Sequence, residues 1–592
     1  MSVGSRLAEF ATRRRHFVTW TTVGITLLLV LGAALPSLFP RRFAFLHPIE
    51  VDTDPENMLA EDEPVRVFHD RMKEVFDLND MVVVGVVNEE GIFNPDSLER
   101  VHALTEFAMK LQWRRFDQPH RTEGVIRPDV LAPSTVDRST PTAGAISFSW
   151  LMPQPPKTQA EANQILAEAL RIPLLRDTLV SLDGQAVAVY LPLSRKSLSY
   201  RVYSALNRQT PILWQWGPVA GEIRRLELPD SGEPTRRALL RAGQLMAERA
   251  EDADTFRSEL ETLVRLAASG DANATLGSVA EYLRNSFTDQ ARQIDAPRRA
   301  RLDEVARELQ QMDLPAKRRE QLTAEQNRLR ASSAREFVGR ATAEMREHIR
   351  AGKTPELTLL ALWRLEALAE SNQSAEGLVE ATASFIEQLR ADLAGAKKTM
   401  EWAGTKEALK GTGWGDRNPD EVRVIAQSED ATSVVQLRIE EALDRAAASA
   451  EADRYHITGL PVAEDTFGVE MFIQMAISAP AAMAVIFILM MLFFRKLVIV
   501  VSPMIVAMIS VAFTMGSLII AGFPVHIMSS MIPIFIMPIA VLDSIHIISD
   551  FFERYQATRD RRKTITAVMD DLFGPMLYTS LTSAAGFASL AL

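Results

Sequence analysis

Five long apolar runs constrain the fold of this chain more than any other feature. They are Phe17–Phe39, Phe472–Phe494, Leu497–Phe523, Val525–Ser549 and Leu572–Leu592. Each is close to the roughly 20 residues that an α-helix needs to cross about 30 Å of hydrocarbon. In lipid a backbone N–H or C=O must be satisfied within its own segment, so runs of this length fold as helices. Whole-chain composition hides them, because 47% hydrophobic and 24% charged residues would suit an ordinary soluble protein. With the apolar residues gathered into five runs, the expectation is an integral membrane protein.

Basic residues orient the runs. Arg13, Arg14 and Arg15 precede the first, Arg495 and Lys496 follow the second, and Arg554, Arg559, Arg561, Arg562 and Lys563 follow the fourth. With five crossings all these clusters fall on one side, which the positive-inside rule makes the cytoplasm. Arg41 and Arg42 oppose this at the far end of the first run, but they are outnumbered. That run exceeds a signal-peptide core, and the SLFPRR after it has no small-x-small cleavage site, so it reads as a retained anchor. The expected order is a cytoplasmic N-terminus (1–16), span one (17–39), a large outer segment, spans two (472–494), three (497–523) and four (525–549), a cytoplasmic loop (550–571) and span five (572–592). An odd number of spans stopping in mid-pattern is what a truncated chain would show.

The outer segment has no cysteine to cross-link it, so packing must hold it together. Met81–Asn88 reads as a buried strand, and Asn94–Trp113 as a helix opened by an Asn cap. A weak strand near Gly124–Ile126 and a clearer one at Gln185–Leu193 follow. A helix over Thr432–Ala450 and a strand over Arg454–Gly459 come much later. Joined in order these predict a ferredoxin-like βαββαβ domain of an α+β membrane protein. Its first part is 43–204 and its second 431–470, interrupted by a mainly helical insertion over 205–430. Within the insertion, apolar residues recur at helical spacing between Pro234 and Lys410, and Pro315 and Pro355 divide separate helices. It reads either as a bundle packing on itself or as a projecting hairpin that docks a periplasmic partner.

A net charge of −11 with dispersed basic residues, and no basic stripe with interleaved aromatics, gives no sign of a nucleic-acid interface. No phosphate-binding loop supports ATP-driven transport. Outside the fourth run, no cluster with ligand spacing calls for a metal, no cofactor is implied, and no catalytic constellation points to an enzyme.

Several stretches resemble the N-terminal half of a transporter of the resistance–nodulation–cell division superfamily, in its MMPL and Patched-like branch. They are VDTDPENML after span one, ITGLPVAEDTF before span two, IAVLDSIHIISDFFERY in span four and DDLFGPMLYTSLTSAAGFASLAL in span five. The resemblance touches both ends of the outer segment and all five spans, and leaves the helical insertion out. It implies proton-driven export of a hydrophobic or amphiphilic molecule, a lipid above all, from a bacterial inner membrane with the large domain in the periplasm. It also implies a C-terminal half as partner, whose tenth span would complete a proton relay, and a homo-oligomer is compatible with it. Asp543 matches the family's fourth-span acid. Ile539 stands where a small residue is often found, and Ser544 where some lipid exporters place Tyr.

Asp543 is also anomalous by itself, since a carboxylate inside a span is costly unless paired, hydrated or protonated. His546 follows at i+3 and Asp550 at i+7, on roughly one helical face. A carboxyl poised between desolvation and a nearby cation can load and release a proton. His546 is the weaker relay candidate, and Asp550 is expected to be solvated at the interface. Pro533 and Pro538, as helix breakers, could expose carbonyls and couple packing to protonation. Alternatively, Asp543 is a structural acid satisfied by hydroxyls such as those of Ser510 or Thr514. Two other functions stay open: a sterol- or lipid-sensing protein without proton-coupled transport, and a scaffold whose insertion recruits partners.

Overall fold

The computed structural model describes residues 3–38, 47, 49–52, 62–76, 78–115, 121–142, 145–311, 314–369, 371, 373–405, 407–410, 432–526 and 528–589. Phe39, Arg41, Arg42, most of VDTDPENML, positions 411–430 of the insertion and the last three residues of the fifth run lie outside them.

In chain order, α1 (Val3–Arg13) and α2 (Arg15–Leu38) lead to β1 (Val51–Asp52) and α3 (Pro64–Phe76). Next come β2 (Met81–Val87), α4 (Pro95–Ala108), a small hairpin of β3 (Gln112–Arg114) and β4 (Thr122–Gly124), and a second hairpin of β5 (Asp137–Thr142) and β6 (Ala145–Trp150). Helix α5 (Gln159–Arg171) and β7 (Ala186–Pro192) precede a run of helices: α6 (Ser199–Arg225), α7 (Glu233–Arg249), α8 (Ala253–Ser269), α9 (Ala272–Leu309), α10 (Ala316–Arg350), α11 (Thr358–Leu368), α12 (Ala375–Leu393) and α13 (Ala396–Ala403). The chain continues through α14 (Thr432–Ser449), β8 (Arg454–Thr458), α15 (Leu460–Phe494), α16 (Leu497–Ile520), β9 (Val525–His526), α17 (Ile532–Thr558) and α18 (Arg561–Ala588). Its contacts divide it into two units, Met1–Leu78 with Ala463–Leu592, and Asn79–Val462.

In the unit Asn79–Val462, the sheet runs β7–β2–β8, with β2 antiparallel to both neighbours. Val82, Val84 and Val86 are fully buried while Met81 is exposed, so the apolar run of β2 covers one face only. Of the residues expected as a weak strand near Gly124–Ile126, Gly124 lies in β4, which pairs with β3 in a separate hairpin, while Val125 makes an isolated antiparallel bridge to Leu193 just past β7. Three strands therefore form where four were expected. Helix α4 opens as predicted, with Asn94 Oδ1 accepting from the Ser97 N–H at 2.9 Å.

Helix α6 packs along both α4 and α14. Gly217 and Gly221 permit the approach to α4: a Cβ on Gly217 would sit 2.8 Å from the Arg100 backbone nitrogen. One contiguous core runs from Val82 and Leu104 through Trp216 and Phe256 to Leu389. Pro315 caps α10 and Pro355 lies in the turn before α11, whereas Pro297 sits inside the continuous α9.

In the other unit, α1 lies against α18 so closely that a Cβ on Gly4 would meet the Met569 carbonyl oxygen at 2.3 Å. Buried Met490, Val500, Met504, Ala507, Met537 and Val541 join α15, α16 and α17. Among the described residues, four helices are long and apolar enough to cross a membrane: Arg15–Ser37, Leu460–Phe494, Ile499–Ile520 and Ile532–Thr558. They carry the first four predicted runs, with shifted ends. The second helix starts at Leu460, well before Phe472. The fourth starts at Ile532, because Val525–His526 pairs with β1 and residues Met528–Met531 form a 3₁₀ turn. The fifth run falls in α18, which is not among the four, since Thr579, Ser580, Thr582 and Ser583 dilute its apolar stretch.

Candidate functional site in the membrane helices

Helix α17 carries the candidate residues. Pro533 occupies its first turn, where a backbone N–H has no intrahelical acceptor anyway, so it starts the helix rather than breaking it. Pro538 lies inside the helix and is exposed. Its missing N–H leaves the Ile534 carbonyl without the usual i+4 donor, about two and a half turns before Asp543.

The packed side of α17 is apolar. Met537 and Val541 are buried against α15 and α16, with Ala540 and Ile545 beside them. At 3.6 residues per turn, Asp543 lies about 200° round the helix from Val541, His546 about 140° and Asp550 about 180°. The polar face predicted from sequence therefore exists, and it points away from the core shared with α15 and α16. Asp543 is half-buried and His546 exposed. Among the described residues neither makes a hydrogen bond or an ion pair.

The hydroxyls offered as structural partners for Asp543 are occupied. Ser510 Oγ donates to the Val506 carbonyl and Thr514 Oγ1 to the Ser510 carbonyl, both at 2.9 Å. Ser544 Oγ likewise donates to the Ala540 carbonyl, at 3.0 Å. A carboxylate needs hydrogen-bond donors, and these hydroxyl hydrogens point into their own helices.

Asp550 departs from expectation. Its Oδ1 accepts from Arg554 Nε at 2.9 Å, and its Oδ2 is buried without a partner. Arg554 also reaches across to α18, donating from Nη1 to Asp571 Oδ2 at 2.5 Å. The Asp550–Arg554–Asp571 chain thus ties the C-terminal part of α17 to α18. Towards the other end the same helices meet through Phe535 and Phe587, edge to face at 6.4 Å. The i,i+4 spacing of Asp550 and Arg554 was visible in sequence. Asp571, on another helix, was not.

Among the described residues, no three His, Cys, Asp or Glu side chains converge as a metal site would require. What the arrangement can do is hold one ionisable carboxyl, without a counter-charge among the described residues, on a mid-span face next to a proline-interrupted backbone.

No curated protein matches the chain. The profile of the MMPL family matches residues 295–592. The match includes the second half of the helical insertion, which the sequence motifs had left out, and it does not include the first span. Membership suggests membrane transport of hydrophobic substrates, and with the four long apolar helices it describes a multi-pass membrane protein. The chain belongs to the MMPL family.

Proposed function

We propose that this protein exports a hydrophobic or amphiphilic molecule, a lipid by preference, out of a bacterial inner membrane, driven by the proton-motive force. Asp543 is the coupling group, with His546 as an auxiliary. The observation that carries this reading is the position of Asp543: mid-span, half-buried and without a hydrogen bond or ion pair to any described residue. A carboxyl placed inside a span without a partner is the usual mark of an ion or substrate pathway. A change of charge there alters the packing preference of α17, as a two-state transport element requires. The large domain is periplasmic in this reading. The order β7–β2–β8, with the first strand central, supports a ferredoxin-like split βαβ unit there. Helix α18 is the fifth span, entering after the basic cluster Arg561, Arg562 and Lys563.

The test is lipid efflux from proteoliposomes holding the complete transporter under an imposed proton gradient. Asp543→Asn is expected to abolish gradient-dependent efflux while leaving the unfolding midpoint unchanged. Efflux at the wild-type rate in that variant would overturn the assignment. If wild-type efflux, or ligand binding without efflux, is unaffected when the gradient is collapsed, the protein is a lipid sensor or a passive conduit instead.

A further inference from the structure

Helices α2 and α16 run alongside each other and are unevenly spaced. At one level they touch through glycine: a Cβ on Gly516 would lie 3.1 Å from Leu29 Cβ, and one on Gly32 would lie 2.8 Å from Ile520 Cδ1. Two turns earlier on each helix they part, around a cleft of about 390 Å³. Its lining is Thr22, Ile25 and Thr26 from α2, with Ile509, Ser510, Phe513 and Thr514 from α16. Four of these seven side chains carry hydroxyls, within two helices otherwise apolar enough to span a membrane.

The hydroxyls share one geometry. Thr22 donates to the Val18 carbonyl, Thr26 to the Thr22 carbonyl, Ser510 to the Val506 carbonyl and Thr514 to the Ser510 carbonyl, each at 2.9 Å. A hydroxyl has one hydrogen and two acceptor lone pairs. With every hydrogen used inside its own helix, the cleft has only acceptors to offer. Its volume is within the ~300–1,000 Å³ of small-molecule sites and far above the ~30 Å³ share of one water.

We infer that this cleft binds one neutral, hydroxyl-bearing apolar molecule, a long-chain alcohol, with its O–H donated to the Thr26–Ser510–Thr514 acceptors and its hydrocarbon against Ile25, Ile509 and Phe513. The chemistry selects against the other membrane components. A phosphate or carboxylate would bring lone pairs against lone pairs. An ammonium would lose its hydration with no carboxylate among the lining residues to replace it. A plain alkane would leave the acceptors unpaired. No residue of α17 is in the lining, and the inference does not depend on proton coupling.

The experiment uses the full chain in phosphatidylcholine nanodiscs, with a diazirine-bearing hexadecanol as probe and crosslinked peptides mapped by mass spectrometry. Labelling is expected on the peptides containing Thr22–Thr26 and Ile509–Thr514. Unlabelled hexadecanol should compete at least about fivefold better than hexadecane, the ratio expected for one net hydrogen bond. The triple variant Thr26→Val, Ser510→Ala, Thr514→Val should lose that preference, whereas Ser517→Ala, on the same helix outside the cleft, should keep it. Equal competition by alkane and alcohol in the wild type would overturn the inference without any variant. So would an undiminished preference in a triple variant with a wild-type unfolding midpoint, or labelling confined to other peptides.

Discussion

Arg100 and Asp453 form a buried ion pair across 353 residues of sequence, with side chains 2% and 0% exposed. Arg100 Nε also donates to the Trp214 carbonyl at 2.9 Å, and its Nη2 to Ser449 Oγ at 2.6 Å. Asp453 accepts from Ser97 Oγ at 2.8 Å and from Asn88 Nδ2 at 2.6 Å, while its carbonyl takes the Trp214 indole N–H at 2.7 Å. This knot joins the end of β2, α4, α6, α14 and the entry to β8. It locks the returning chain onto the sheet after the long helical excursion.

Removing one member should therefore be severe. Arg100→Met or Asp453→Ala leaves an uncompensated buried charge and is expected to cost about 3–5 kcal/mol. Denaturant unfolding followed by tryptophan fluorescence measures this. The double variant should lose clearly less than the sum of the two single losses. Additive losses would mean that the pair is not coupled.

Two glycines on helices should respond in opposite directions. Gly217→Ala drives a methyl onto the Arg100 backbone, 2.8 Å from its nitrogen, and is expected to destabilise by about 1–3 kcal/mol. Gly339→Ala, in the interior of α10 with nothing within 4 Å of the new Cβ, should stabilise by about 0.5–1 kcal/mol. Thermal unfolding of the two variants side by side decides it.

Glu259 predicts a pH dependence. Burial, with the Glu356 carboxylate as a smaller contribution, pushes its carboxyl up to about 7, and its Oε2 is buried without a partner. The folded protein thus holds a proton there that the unfolded chain gives up at a lower pH. Stability is fully present below about pH 4.5 and is lost as pH rises through about 7. Glu259→Gln should flatten this slope and raise the unfolding midpoint at pH 8, by on the order of 1–2 kcal/mol, with little change at pH 4.5. A variant whose stability followed the wild type at both pH values would refute it.

Asp295 acts as a cap from a distance. It accepts from the Ala375 N–H at 3.2 Å and the Glu376 N–H at 3.0 Å, at the start of α12, and from Ser333 Oγ at 2.5 Å. Asp295→Ala should cost about 1.5–3 kcal/mol, because free N–H groups at a buried helix start lose a charged acceptor. Asp295→Asn should cost less. Hydrogen exchange at Ala375 and Glu376 would rise first in both variants.

His546 should matter less than Asp543. It is exposed and makes no hydrogen bond to a described residue, so His546→Ala is expected to slow gradient-driven efflux by no more than about tenfold. Loss as complete as in Asp543→Asn would promote it to an obligatory relay member.

Sequence alone determined the elements whose signal is local. Four apolar runs had to be helices because lipid offers the backbone no other partner. Asn94 had to cap α4 because its side chain and the Ser97 N–H are three residues apart. The common face of Asp543, His546 and Asp550 followed from helical period alone. Tertiary structure decided what depends on distant residues. It turned that face away from the α15–α16 core, tied Arg554 to Asp571, and spent the Ser510 and Thr514 hydrogens within their own helix. It also moved the start of span four to Ile532, because pairing with β1 claimed Val525 and His526 for a strand. Closure of Arg100 on Asp453 is the extreme case. A contact across 353 residues leaves no periodic trace in either segment, because its free energy comes from burial created by the fold itself.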